Sequence, residues 1–129
     1  MKVAIINKSY QTGGAAIAAQ RLWRALNGSE LHADFLTFDL NKDKENNLIN
    51  LAQSSLGKLK WWFHFIVERL YFLPFEKDKT VRFRFSPAFS GVNIAKMKEI
   101  RNADIIHLNW INQGFLSISS LEKIFETRK

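Results

Sequence analysis

Residues 3–7 (V-A-I-I-N) form an aliphatic run without alternation, the pattern of a central parallel strand covered on both faces. From residue 15 to residue 26 the period lengthens. Ala15, Ala18, Ala19, Leu22, Ala25 and Leu26 make an apolar helical stripe, with Gln20, Arg21 and Arg24 opposite. Asn27-Gly28 supplies a stop. Residues 31–38 (L-H-A-D-F-L-T-F) alternate loosely and read as a second strand. Strand, glycine turn, helix and strand make a βαβ opening. Residues 41–50 are polar and charged and read as a loop.

Residues 54–75 (S-S-L-G-K-L-K-W-W-F-H-F-I-V-E-R-L-Y-F-L-P-F) are the most unusual stretch. As a helix they place Lys60, His64 and Glu68 on one stripe, with Arg69 alongside and aromatic and aliphatic residues over most of the rest. Pro74 ends it. Residues 76–84 are charged, and V-R-F-R-F at 81–85 reads as a loop or short edge strand. Residues 85–94, with Pro87 and Gly91, look irregular, and 95–101 suggest a short helix. Residues 104–108 (D-I-I-H-L) read as another buried parallel strand. Residues 117–126 form a helix with an S-x-x-E capping box at Ser119 and Glu122, and with Leu121, Ile124 and Phe125 toward the sheet. A doubly wound sheet continues with another strand at this point, so the end of the chain looks premature.

Composition changes this picture little. With 129 residues, 47% hydrophobic and 24% charged, the chain is one globular domain's worth of sequence. It has no cysteine, which excludes disulfides and thiolate metal sites and fits a reducing compartment. The first residues are too soon interrupted for a signal peptide, and no apolar run reaches the ~20 residues of a spanning helix. A cytoplasmic location is expected. A net charge of +7 points to an anionic partner without choosing among nucleic acid, acidic lipid and nucleotide phosphate. Nucleic acid is disfavoured because the basic residues do not interleave with aromatics on a single-strand platform.

Gly13-Gly14 sits where the first helix starts, and helix starts carry unpartnered N–H groups at the positive end of the dipole. Glycines there leave room for a phosphate; equally, they permit a tight turn and close helix packing. Neither G-x-x-x-x-G-K-[ST] nor G-x-G-x-x-G fits G-G-A-A-I-A. Asp39 stands where a ribose-binding acid would, but as a lone match among 12 acidic residues. No cofactor is called for. His32, His64 and His107 are too scattered for a metal or hydrolase constellation.

The segments INKSYQTGGAAIAAQRLWRAL and FSPAFSGVNIAKMKEIRNADIIHLNWINQGFLSISSLEKIF together closely resemble bacterial family 4 glycosyltransferases, retaining enzymes of the GT-B fold that build cell-surface polysaccharides. The resemblance brackets nearly the whole chain. It implies a Rossmann-like α/β domain, residues 1–129, forming the acceptor side of such an enzyme, with the C-terminal nucleotide-sugar domain absent and the fragment inactive alone. By the resemblance, Gly13, Gly14 and Ala15 lie by the donor diphosphate and acceptor, while Asn7, Lys8, Tyr10, His107, Asn109 and Trp110 line the acceptor side. A nucleotide-sugar donor and a sugar or lipid-linked acceptor are the implied partners. His107 is the one catalytic candidate. Where relatives often read H-L-H-W this chain has His107-Leu108-Asn109-Trp110, and Asn cannot titrate. The family's E-x7-E motif is matched by Glu68 and Glu76 only across Pro74, which reads as chance.

Two sites keep alternative readings. Trp110 either stacks on a sugar ring or caps the core. The aromatic helix is either an interfacial anchor, with Lys58, Lys60, Trp61, Trp62, Phe65 and Arg69 as its membrane contacts on the inner face of the plasma membrane, or a helix packed into the domain. The anchor reading supports a rival function, a non-catalytic module that binds a membrane surface or a protein.

Overall fold

Ala4, Ile5 and Ile6 are fully buried because their strand, β1 (Lys2–Ile6), is paired on both edges and covered on both faces. The computed structural model describes residues 1–40, 42–78 and 86–127. After β1 come α1 (Gly14–Asn27), β2 (His32–Thr37), β3 (Leu48–Asn50), α2 (Ser55–Phe72), α3 (Lys98–Arg101), β4 (Ile105–Leu108) and α4 (Ile118–Glu126). The sheet has four parallel strands in the order β3-β2-β1-β4, flanked by helices, an α/β arrangement compatible with a Rossmann-like fold. The 81–85 segment lies outside the described residues.

The alternation of β1 divides the core in two. Val3 and Ile5 point to the α1 side, where Tyr10, Trp23, Ala33 and Phe35 complete a cluster. Ala4 and Ile6 point to the other side, against Leu36, Phe38, Ile100, Phe115 and Ile124. Thus α1 and α4 cover opposite faces of the sheet.

Five sequence expectations need correction. Residues 104–108 do not make the expected buried strand: among the described residues β4 pairs only with β1, at the sheet edge, so Ile105 and His107 are exposed and Ile106 and Leu108 only partly buried. The polar run at 41–50 contains a strand: Leu48, Ile49 and Asn50 pair with Phe35, Leu36 and Thr37. The buried face of α1 is Ala16, Ala19 and Trp23, so the expected stripe is rotated and Leu22 is exposed. Trp23 wins because its ring meets Tyr10 and Phe35 edge-on and its Nε1–H donates to the Ala33 carbonyl at 2.8 Å. The cap of α4 is Ser117, whose hydroxyl accepts from the Ser120 N–H, rather than Ser119. On α4, Ile124 is buried and Leu121 packs on the core, but Phe125 is exposed.

Helix α2 starts at Ser54, whose hydroxyl accepts from the Gly57 N–H at 2.9 Å, and ends in a 3-10 turn at Leu73–Phe75 containing Pro74. Of its polar stripe, His64 and Glu68 face inward while Lys60 stays exposed. Gly57 and Glu68 are buried, and Trp61, His64, Phe65 and Phe72 are partly covered. Gly57 lies so close to the Leu51 carbonyl that a Cβ would collide with it. Leu56, Leu59, Phe63 and Leu70, by contrast, point out.

Candidate functional site

Strand order sets where a ligand can sit. From β1 the chain winds outward to β2 and β3, then returns to place β4 on the other edge of β1. The order therefore reverses between β1 and β4, and α/β sheets bind ligands beyond the carboxyl ends of their strands at such a reversal. A cleft of about 410 Å³ lies there, lined by Asn7, Lys8, Ser9, Thr12, Gly13, Gly14, Ala15, Ala16, Trp110 and Gln113. Among the described residues, no acidic side chain lines it. A second concavity, of about 370 Å³, opens at the other end of the strands by Lys2, His32, Asp34 and Lys98, away from the reversal.

Gly13 and Gly14 have different reasons to be glycine. Gly13 adopts φ +94°, a region costly for any other residue, and so makes the turn. Gly14 has no such φ, and a Cβ built on it meets nothing within 4 Å. Close packing therefore does not explain Gly14; the space beside it is the cleft. No side chain caps α1 and no acidic residue occupies its first turn, which leaves the positive end of the helix bare.

The far wall is stitched by Asn7. It is 1% exposed, its Oδ1 accepts from the Trp110 N–H at 2.9 Å, and its Nδ2 donates to the Ser9 carbonyl. The Lys8 N–H in turn donates to the Trp110 carbonyl at 2.7 Å. These bonds hold the ends of β1 and β4 together and anchor the Trp110 backbone, with its side chain, 45% exposed, at the rim of the cleft.

Lys8 is the charged member of the site. It is 8% exposed, its Nζ donates to the Gln113 carbonyl, and it lies 5.5 Å from the centre of the Trp61 ring and 5.8 Å from that of Phe65. Burial lowers its pKa from 10.5 to about 8, against the raising influence of Glu68 and Asp39. Behind it runs a polar network. The Gln113 N–H donates to the Ser86 hydroxyl at 3.0 Å, and that hydroxyl donates to Glu68 Oε2. His64 Nδ1 lies 2.7 Å from Ser90 Oγ, and its pKa is lowered by burial and then by Lys60. The inward stripe of α2 serves this network. Gly114, at φ +78°, lies so close to the His64 backbone that a Cβ on it would come within 3 Å of the His64 carbonyl.

The sequence-derived site is thus brought together in part. Asn7, Lys8, Gly13, Gly14, Ala15 and Trp110 converge on one cleft. Tyr10 does not: it is 1% exposed within the α1-side core, with its hydroxyl 2.5 Å from Glu45 Oε1. His107 stands exposed on β4 outside the cleft lining, its Nε2 3.3 Å from Asn109 Oδ1, and the buried Asn109 Nδ2 has no partner among the described residues. Asp39 is engaged in the turn, accepting from the Tyr10 N–H at 2.7 Å and from Asn50 Nδ2. Glu68 joins the Lys8 network and Glu76 pairs with Arg69 at 3.2 Å, so neither faces the cleft as a catalytic pair.

Of the membrane candidates, Lys58, Lys60 and Trp62 point outward. Trp61 and Phe65 are a correction. They turn inward and stack on each other, with centroids 5.2 Å apart, because Lys8 offers their faces a cation. Arg69 is held by Glu76. Sequence reasoning missed Ser9, Thr12 and Gln113, polar loop residues without periodicity to flag them. Among the described residues no group of three His, Asp or Glu side chains could hold a metal, and no helix is long and apolar enough to cross a membrane. No protein-family model, curated protein or solved structure matches this chain.

Proposed function

We propose that the cleft beyond β1 and β4 binds a phosphorylated sugar, and that the chain is the acceptor-side Rossmann-like domain of a retaining family 4 glycosyltransferase acting in cell-surface polysaccharide synthesis. One observation carries the reading: the uncapped start of α1 opens, beside a Gly14 that packing does not require, into a cleft without acidic lining. Bare N–H groups and the helix dipole favour a phosphate there. The Lys8 ammonium, mostly charged at neutral pH, adds a cation in the same cleft. The half-exposed Trp110 ring offers a flat apolar surface to a pyranose. The resemblance of the 6–26 and 85–125 segments supplies the transferase class.

Calorimetric titration of the purified chain with UDP-glucose and with inorganic pyrophosphate tests this. Gly14→Ala adds a methyl into open space, so the fold should hold, with thermal stability equal or slightly higher. Binding of both probes should weaken by about tenfold, because the methyl stands where the phosphate approaches. Wild-type protein that binds neither probe, or an alanine variant that binds as well as wild type, would remove the basis of the proposal.

A further inference from the structure

The orientation of α2 has a counterpart on its outer side. Leu56, Leu59, Trp62, Phe63, Ile66 and Leu70 recur at helical spacing and point away from the domain; Leu56 is 72% exposed and Leu59 66%. Beyond the helix, Phe75 and Phe89 extend the same apolar character. This outward face is no accident of a loosely placed helix. Ser54 caps α2, Gly57 seats it on the Leu51 carbonyl, and the Glu68–Ser86 and His64–Ser90 contacts hold its polar side inward.

Positive charge is gathered at the N-terminal end of that face. Exposed Lys58 and Lys60 flank the apolar strip on its two sides. Lys58 also lines a cavity of about 280 Å³ with Lys42, Lys44, Leu40, Ala52 and Gln53. Lys42 and Lys44 come from the polar run between β2 and β3, so chain folding brings three lysines from two segments to one hollow. Leu40 at its edge is itself 41% exposed.

We infer that this surface docks on an anionic phospholipid bilayer. Helix α2 lies in the plane of the interface, its aliphatic and aromatic strip is sunk among the upper acyl chains, and the Lys42–Lys44–Lys58 hollow takes a lipid phosphate. Charge complementarity selects this occupant. An apolar strip bordered by lysines, on a chain of net charge +7, matches a layer that presents hydrocarbon beneath fixed negative charge. A second copy of the chain would instead bring like charge against like. The inference is independent of the sugar-phosphate cleft, since none of the residues named for the docking surface lines it.

Co-sedimentation with vesicles tests it, using phosphatidylcholine alone and an equimolar mixture of phosphatidylcholine and phosphatidylglycerol. The full chain should pellet with the mixed vesicles, bind the neutral ones weakly, and be partly released by salt. Lys42→Glu, Lys44→Glu and Lys58→Glu should each weaken binding by at least about fivefold, from the roughly 1 kcal/mol that each basic residue contributes near such a surface. Ile66→Asp changes an exposed position, so circular dichroism should show the native fold while vesicle binding falls by roughly tenfold or more. Failure to pellet with the mixed vesicles would overturn the inference. So would Ile66→Asp binding as well as wild type, or full release by millimolar inorganic phosphate, which would give the lysine hollow to a soluble anion. A tight dimer that Ile66→Asp dissociates, in a chain that ignores vesicles, would give the face to a second copy.

Discussion

Lys8 is tied to three residues by its backbone and to a fourth by its side chain. Its N–H reaches Trp110, while its carbonyl accepts from the Phe38 N–H and the Thr37 hydroxyl. The Cα is therefore fixed, and the ammonium has nowhere to go but into the space between Gln113 and the Trp61–Phe65 stack. Moving its pKa from 10.5 to about 8 means that the folded state disfavours the charged form. At 1.36 kcal/mol per unit this is about 3 kcal/mol, partly offset by the ring contacts. The depressed pKa fixes the sign. Between pH of about 8 and 10.5 the unfolded chain holds a proton that the folded chain has released, so stability rises with pH through that window. Below about 8 both states are charged and the penalty is constant. The urea midpoint of the wild type should climb across this window, and that of Lys8→Met should not. At pH 7 the variant should be more stable by about 2 kcal/mol. Parallel profiles for the two proteins would show that Lys8 is not desolvated. A charge kept at this cost beside a cleft is what a ligand-binding role leads one to expect.

Helix α2 shows what the pattern along the chain can and cannot convey. Its existence, its stop at Pro74 and its wide apolar surface were all legible in the letters, as were β1, β2, β4 and the glycine turn. Which side faces in was not. An amphipathic reading turns Lys60, His64 and Glu68 to solvent. The residues that draw His64 and Glu68 inward, Lys8, Ser86 and Ser90, lie 18 or more positions away. The same limit explains the rotated face of α1, decided by the Ala33 carbonyl under Trp23, and the misplacement of Tyr10 in the cleft. Strand β3 escaped because three residues in a polar run carry no period, and only pairing with β2 makes them a strand. The inward stripe also makes the docking of α2 depend on pH. Burial and Lys60 lower the pKa of His64, with Lys8 adding to this and Glu68 opposing it. Below pH of about 6.5 the unfolded histidine takes up a proton that the folded one resists, so stability falls with acidification. Urea titrations between pH of about 7.5 and 5 should show a decline in the wild type that His64→Gln flattens. An unchanged acid limb in the variant would assign the decline to other groups. On the same helix, Gly57→Ala drives a methyl into the Leu51 carbonyl and should cost about 2 kcal/mol or more, a loss that thermal unfolding would register.

At the scale of the molecule, stability is distributed unevenly about β1. That strand is hydrogen-bonded on both edges, and Ala4, Ile5 and Ile6 have no exposed surface. Strand β2 is nearly as enclosed, with Ala33, Phe35 and Leu36 fully buried. The outer strands are different. Strand β3 has three residues, all only partly buried. Strand β4 has four, and its face toward α1 leaves Ile105 46% exposed and His107 exposed, since α1 covers β1 and β2 but does not reach across to β4. Opening β3 or β4 uncovers little apolar surface, whereas opening β1 breaks both halves of the core at once. Native-state hydrogen exchange should therefore divide the sheet. Amides of Ala4, Ile5, Ile6 and Phe35 should exchange only through global unfolding, with a free energy that follows the denaturant value. Those of Ile49, Ile106 and His107 should exchange through smaller openings, faster by roughly a hundredfold or more and with little dependence on denaturant. Because Asn7 and Trp110 join β1 to β4 at the cleft, a ligand that bridges this pair should slow exchange in β4 and leave β3 as it was. Equal protection in all four strands would mean that the sheet opens as one unit. The cleft would then have no softer wall for a ligand to brace.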